Sequence, residues 1–169
     1  MYLINADTIE IKNRCFSMAR VAQAAIRIIT PLAEKKGLAL HMHVSSAIPA
    51  QCVGDPVRIG QILVNLLSNA VKFTDRGHVA LHVNMETDKY QNEKLSITVI
   101  DTGIGIEASE IERISVGRNY VDANSKIALS QKIARLMHGN IIIKSWPGVG
   151  SYFTVTLPLH RADEFLVAA

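Results

Sequence analysis

The chain has 169 residues, 49% apolar and 20% charged, enough for one domain that hides roughly two-thirds of its unfolded surface. Eighteen Lys plus Arg against 15 Asp plus Glu leave a formal charge of +3, too mild a balance to call for nucleic acid. No apolar run approaches the roughly 20 residues that cross a bilayer, and the opening MYLINADTIEIKNR lacks a signal peptide's apolar block, so a cytoplasmic domain with no direct membrane insertion is expected.

From Ser17 to Lys36, Val21, Ala25, Ile28, Ile29 and Leu32 recur with the period of an amphipathic helix. Gly37 ends it, and Pro31 should kink or divide it. Leu38, Leu40, Met42 and Val44 alternate with Ala39, His41 and His43, a strand with one buried face. The two histidines then face solvent, and no metal site is expected there. Cys15 and Cys52 stand far apart without metal-ligand spacing and read as structural thiols.

Asp55-Pro56 opens the next helix, Asp as the N-cap and Pro at the first position, where its missing N–H costs nothing. The helix should run to about Thr74. Its apolar stripe is Ile59, Ile62, Leu63, Leu66, Leu67 and Ala70, while Arg58, Gln61, Asn65, Asn69 and Lys72 share another face. Strands follow at 79–83 and 95–100, then a glycine loop after Asp101 and a short irregular segment. A helix around 127–137 precedes strands at 141–144 and 152–157, which the Pro147-Gly148-Val149-Gly150 turn joins. Interleaved elements whose last strands are joined by tight turns give a two-layer α/β sandwich: a mixed, mostly antiparallel sheet of about five strands with three helices on one face. Ile62, Leu66, Leu67, Ile97, Val99, Ile133, Ile141, Phe153 and Val155 are the expected core.

Three features can carry chemistry, one of which, Pro147-Gly148-Val149-Gly150-Ser151, is by itself an ordinary hairpin turn. Asn is a weak former in mid-helix, so Asn65 and Asn69 one turn apart, with Lys72 three residues on, form either a solvated face or a ligand face. In the second case an amide oxygen offers Mg²⁺ a hard, neutral ligand and the lysine a point charge to phosphates. Asp101-Thr102-Gly103-Ile104-Gly105-Ile106 follows a strand directly, so its carboxylate can accept from an exocyclic amine while the glycines admit close approach of the backbone. By itself this pattern is also an ordinary turn.

In this order and spacing the segments are no longer generic. Asp55 to Leu63 followed by Asn65-Leu66-Leu67-Ser68-Asn69-Ala70-Val71-Lys72-Phe73-Thr74 resembles the N box of sensor histidine kinases, and DTGIGI resembles their G1 box. Met137 to Ile141 and PGVGSYFTVTLPL resemble the closing strands of the same ATP-binding catalytic domain. Ile9 to Phe16 looks like the strand leaving the dimerisation helices, and LAEKKGLAL like the following segment of hybrid kinases. Topoisomerase- and chaperone-type relatives fit less well, because they carry an acidic residue where Asn65 stands.

The resemblance implies a linker end and first strand over 1–16, a catalytic domain over 17–159 and a tail over 160–169. It implies ATP and Mg²⁺ as ligands: Asn69 holding the metal, Asn65 near the phosphates and Lys72 contacting them, with Asn65 and Lys72 as the catalytic pair. Phe73 packs near adenine, Asp101 accepts from its amino group, and Gly103 and Gly105 close around the nucleotide. The γ-phosphoryl then goes to a histidine on a dimerisation domain of the same polypeptide, and onward to a receiver or phosphotransfer domain. None of the six histidines has the neighbours of that acceptor. The implied setting is the cytoplasmic portion of a bacterial inner-membrane sensor.

One segment departs from the family pattern. Aligned back from Met137, the glycines of the G2 lid fall on Asp122, Asn124 and Lys126, and the stretch Glu107–Val121 is short and lacks Phe. Side chains then stand where backbone approaches phosphate, and Asp122 adds like charge. Impaired phosphoryl transfer is the expectation, with a non-catalytic docking or regulatory module of a phosphorelay protein as the alternative. Lys126 is either a phosphate contact or an exposed lysine at a helix start.

Overall fold

The computed structural model describes residues 9–87, 89, 92–116, 126–158 and 160–162. In chain order the elements are β1 (Arg14–Phe16), α1 (Met18–Lys35), β2 (Ala39–Val44), β3 (Cys52–Gly54), α2 (Pro56–Phe73) and β4 (His78–Thr87). There follow β5 (Glu93–Asp101), α3 (Ala108–Val116), α4 (Lys126–Leu136), β6 (Asn140–Trp146), β7 (Gly150–Pro158) and β8 (His160–Arg161). Five strands make the main sheet in the order β2-β4-β5-β7-β6. Only β2 and β4 pair in parallel, and the chain between them makes the long crossover through α2 that a parallel pair demands. The other neighbours are antiparallel.

The core follows from the alternation along the strands. Val79, Leu81, Val83, Leu95, Ile97, Val99, Phe153, Val155 and Leu157 turn one face toward the helices and are buried. The nine residues expected in the core from sequence are each 6% exposed or less. Helix α2 lies between α1 and α4 and touches both, so its buried side is wide: Ile59, Ile62, Leu63, Leu66, Leu67, Ala70 and Val71.

Several details differ from the expectations. Helix α1 runs through Pro31 without interruption; Pro31 sits on the solvent side, where the carbonyl it leaves unbonded is open to water. The buried stripe of α1 is Met18, Ala22, Ala25, Ile29 and Ala33, while Ile28 and Leu32 are 59% and 50% exposed. Small alanines permit close packing on α2, and rotating them inward carries the two larger side chains to the rim. Residues 108–116 form a helix rather than an irregular segment, giving four helices among the described residues instead of three. A second sheet, β1-β3-β8, was not foreseen. It pairs His160 with Val53 and Arg161 with Cys52, so the start of the tail takes part in strand pairing. Cys15 is exposed, Cys52 is buried, and both are free thiols. None of the helices among the described residues is long and apolar enough to cross a membrane.

Candidate functional site

Helix α2 carries the first half of the site, and its start is set by Asp55. One carboxylate oxygen accepts from the backbone N–H groups of Val57 and Arg58, both at 3.0 Å, and the other accepts from Lys12 N–H at 2.9 Å. With the apolar stripe committed to the core, the polar residues of the middle turns face the first turn of α4. There Asn65 Nδ2 donates to Ser130 Oγ at 3.3 Å and to the Lys126 carbonyl at 3.5 Å. Ser130 Oγ in turn donates to that carbonyl at 2.8 Å. Ser68 Oγ donates to the Asn65 carbonyl at 3.0 Å and accepts from Lys126 Nζ at 3.0 Å. Asn65, Ser68, Lys126 and Ser130 thus form one small network. The amide nitrogen of Asn65 is spent on α4, which leaves its Oδ1 as the polar atom to offer elsewhere. Asn69 is half-buried one turn on, and Lys72 is exposed, its ammonium 5.0 Å from the Phe73 ring centre.

The second half is built at the end of β5. Asp101 is only 5% exposed. Its carboxylate accepts from Gly103 N–H at 2.9 Å and from the N–H and hydroxyl of Ser151, the cross-strand partner. Burial pushes the carboxyl above its ordinary range, and these three hydrogen bonds pull the other way. A carboxylate has about four acceptor positions, so one remains. Ser151 Oγ lies 2.9 Å from Ser145 Oγ, which accepts from Ile106 N–H at 2.8 Å and donates to the Gly150 carbonyl at 2.9 Å. Sequence reading missed both serines, which look like ordinary residues flanking a turn. Their signal is the antiparallel register Ser145↔Ser151 across it.

The glycines of this loop answer to the protein's own backbone. A Cβ on Gly103 would lie 2.3 Å from the Phe73 carbonyl, and one on Gly105, at φ +72°, would lie 2.2 Å from the Trp146 carbonyl. The loop is stitched on both sides: Ile104 N–H donates to the Phe73 carbonyl at 3.2 Å, and Gly148 N–H to the Ile104 carbonyl at 2.7 Å. So the structure brings Asp101, Gly103 and Gly105 to the C-terminal end of α2 beside Phe73, which is 46% exposed. It brings Lys126 to the middle of α2 beside Asn65. Eight residues separate the two ends, about 12 Å along a helix. Asp122 and Asn124 lie outside the described residues, as does 117–125 as a whole.

Two other features are separate from this face. A cleft of about 240 Å³ lined by Phe16, Cys52, Leu95, Leu136 and Leu157, among others, contains none of the residues expected to bind nucleotide or metal. His41 and His78, and His43 and His82, meet edge to face at 5.7 and 6.0 Å. No group of three or more metal-ligating side chains occurs among the described residues.

Residues 54–161 match the family described as histidine kinase-, DNA gyrase B-, and HSP90-like ATPase. Sensor histidine kinase RcsC of Escherichia coli (strain K12) is 38% identical over 169 residues, 95% of this chain and 17% of that protein. Sensor protein GacS of Pseudomonas syringae pv. syringae is 32% identical over 170 residues, 95% of this chain and 19% of that protein. The chain therefore spans about a fifth or less of these relatives. The crystal structure of full-length ShkA in complex with AMPPNP superposes with a TM-score of 0.78 at 26% identity, over 91% of this chain and 32% of that one. Acinetobacter baumannii histidine kinase AdeS gives 0.70 at 17% identity over 89% of this chain and 68% of that one, a likeness of fold alone.

Proposed function

The chain belongs to the family of histidine kinase-, DNA gyrase B- and HSP90-like ATPases, as an ATP-binding catalytic domain of the sensor histidine kinase type; on that premise we propose that it transfers the γ-phosphoryl group of ATP to a histidine on a separate dimerisation domain. The observation that carries this reading is the division of one helix face. A buried carboxylate with one acceptor position left stands at the C-terminal end of α2, two carboxamides and Lys126 gather about the middle turns, and Lys72 stands between them in the last turn. A base held at the first end puts its polyphosphate over the second.

Asp101 accepts the adenine amino group, and the hydrogen bonds from Gly103 and Ser151 hold its carboxylate oxygens in place. Phe73 offers an exposed ring next to that end. Asn69, with the Oδ1 of Asn65, fits a hard divalent cation by donor chemistry: neutral oxygens that leave most of the coordination sphere to phosphate and water. Bound there, Mg²⁺ would neutralise phosphate charge during transfer. Lys72 adds a cation whose reach is unconstrained by burial. Because transfer to a histidine needs positioning and charge neutralisation more than covalent help, no general base within the chain is required.

In this reading the acceptor domain belongs to the same polypeptide, a receiver or phosphotransfer domain is the next carrier, and the domain works in the cytoplasm below a membrane-anchored sensor. Asp122, Asn124 and Lys126, at the positions that the resemblance aligns with the lid glycines, favour the second reading, a docking module that binds nucleotide without turnover. One experiment separates them. The chain is titrated calorimetrically with AMPPNP and Mg²⁺, then incubated with γ-labelled ATP and a dimerisation domain carrying the acceptor histidine. Binding with slow labelling of that histidine is expected. Binding without labelling supports the docking module, and no binding of any adenine nucleotide overturns both.

A further inference from the structure

Resting on the nucleotide reading above, we propose that Lys126 is a phosphate-binding and specificity-determining residue: a side-chain cation at the first turn of α4 takes the place of the lid backbone at the polyphosphate end. Helix α4 begins at Lys126 and has no acidic residue in its first turn. Its start is held against the middle of α2 by the bonds from Asn65 Nδ2 to the Lys126 carbonyl and Ser130 Oγ, so the lysine's backbone position is set. Its side chain, although exposed, reaches back to α2 and donates to Ser68 Oγ at 3.0 Å. Ser68 stands beside Asn69, three residues after Asn65 and four before Lys72.

The electrostatics of that arrangement point to an anion. Among the described residues the ammonium meets a neutral hydroxyl and no carboxylate, which leaves two of its three protons to offer. Lys72, one turn on in the last turn of α2, brings a second positive charge to the same side of the helix, and the α4 N-terminus adds its partial positive charge. Like charges gathered along one side of a helix repel one another unless something negative lies over them. A polyphosphate satisfies both, and the charge-assisted bonds it would receive are stronger than the neutral one that holds Lys126 to Ser68. The contact falls at the middle of α2, away from Asp101 at its C-terminal end, so it selects for the number of phosphates and leaves the base untouched.

The test is calorimetry on the whole chain with Mg²⁺ and AMPPNP, ADP or AMP, for the wild type and for Lys126→Ala, Lys126→Gly and Lys126→Arg. Lys126→Ala and Lys126→Gly should each weaken AMPPNP by about tenfold or more, ADP by less and AMP not at all, and Lys126→Arg should regain most of the loss. AMPPNP affinity unchanged in Lys126→Ala overturns the proposal. So does tighter AMPPNP binding by Lys126→Gly, which would mean that backbone approach, not the cation, governs this position. In either case the wild type still binds nucleotide and the broader reading stands. A wild type that binds none of the three overturns that reading and this inference together.

Discussion

At the scale of single residues, Asp101 concentrates the most consequence in one side chain. Its carboxylate receives Gly103 N–H and two donors from Ser151, so Asp101→Asn turns an amide donor toward groups that are themselves donors. The loss should be about 1–3 kcal/mol, seen as a lower urea midpoint and as a drop of about tenfold or more in affinity for ADP and AMPPNP alike. Burial raises the folded-state pKa above the ordinary 3.8, so the native protein holds this proton more tightly than the unfolded chain does. Stability contributed by that proton is present below 3.8 and is lost as pH rises through the folded value. Denaturation midpoints across this window should show that fall in the wild type and lack it in Asp101→Asn. The motif around Asp101 was readable from sequence because a strand end followed by two glycines has local meaning. The Ser145–Ser151 pair beneath it was not, since only strand register brings those hydroxyls together.

At the scale of elements, the two ends of α2 show how differently a helix can be secured. Its start is written locally in Asp55-Pro56, where the capping carboxylate serves residues two and three positions on. Its end is capped from a distance. Lys36, just past α1, donates through Nζ to the carbonyls of Val71, Lys72 and Thr74 at 3.0, 2.9 and 2.8 Å, and lies 3.3 Å from Asp75. These carbonyls belong to the last turn, where the helix leaves acceptors without partners and a cation is favoured. Lys36→Ala should cost about 1–2 kcal/mol, and urea denaturation would measure it. Because the capped turn carries Lys72 and Phe73, the same variant should weaken nucleotide binding without touching a ligand. Helix α3 escaped the sequence reading for the opposite reason. It is short and largely exposed, so it presents too narrow an apolar stripe for periodicity to register.

For the molecule as a whole, an ion pair of good geometry ties the small sheet to the large one. Arg161 on β8 donates through Nε to Glu93 Oε2 at 2.7 Å on β5 and through Nη2 to the other carboxylate oxygen. The guanidinium hydrogen bond holds Glu93 below its ordinary 4.5, so its contribution is present above that value and lost as pH falls through the lowered one. Tm measured from pH 7 down to 3 should fall less steeply in Arg161→Ala than in the wild type, and an identical slope would show that the pair does not couple the sheets. What the sequence determined by itself was whatever depends on near neighbours: the alternation of β4, β5 and β7, the cap and stripe of α2, the G1 loop, and through them the family. Tertiary structure decided whatever depends on distant pairing: which way α1 rolls, the sheet of β1, β3 and β8, the cap from Lys36, and the reach of Lys126 to Ser68. The division is physical, because capping and periodicity act over one or two turns, whereas a contact between residues tens of positions apart exists only once burial of the shared core has fixed both backbones.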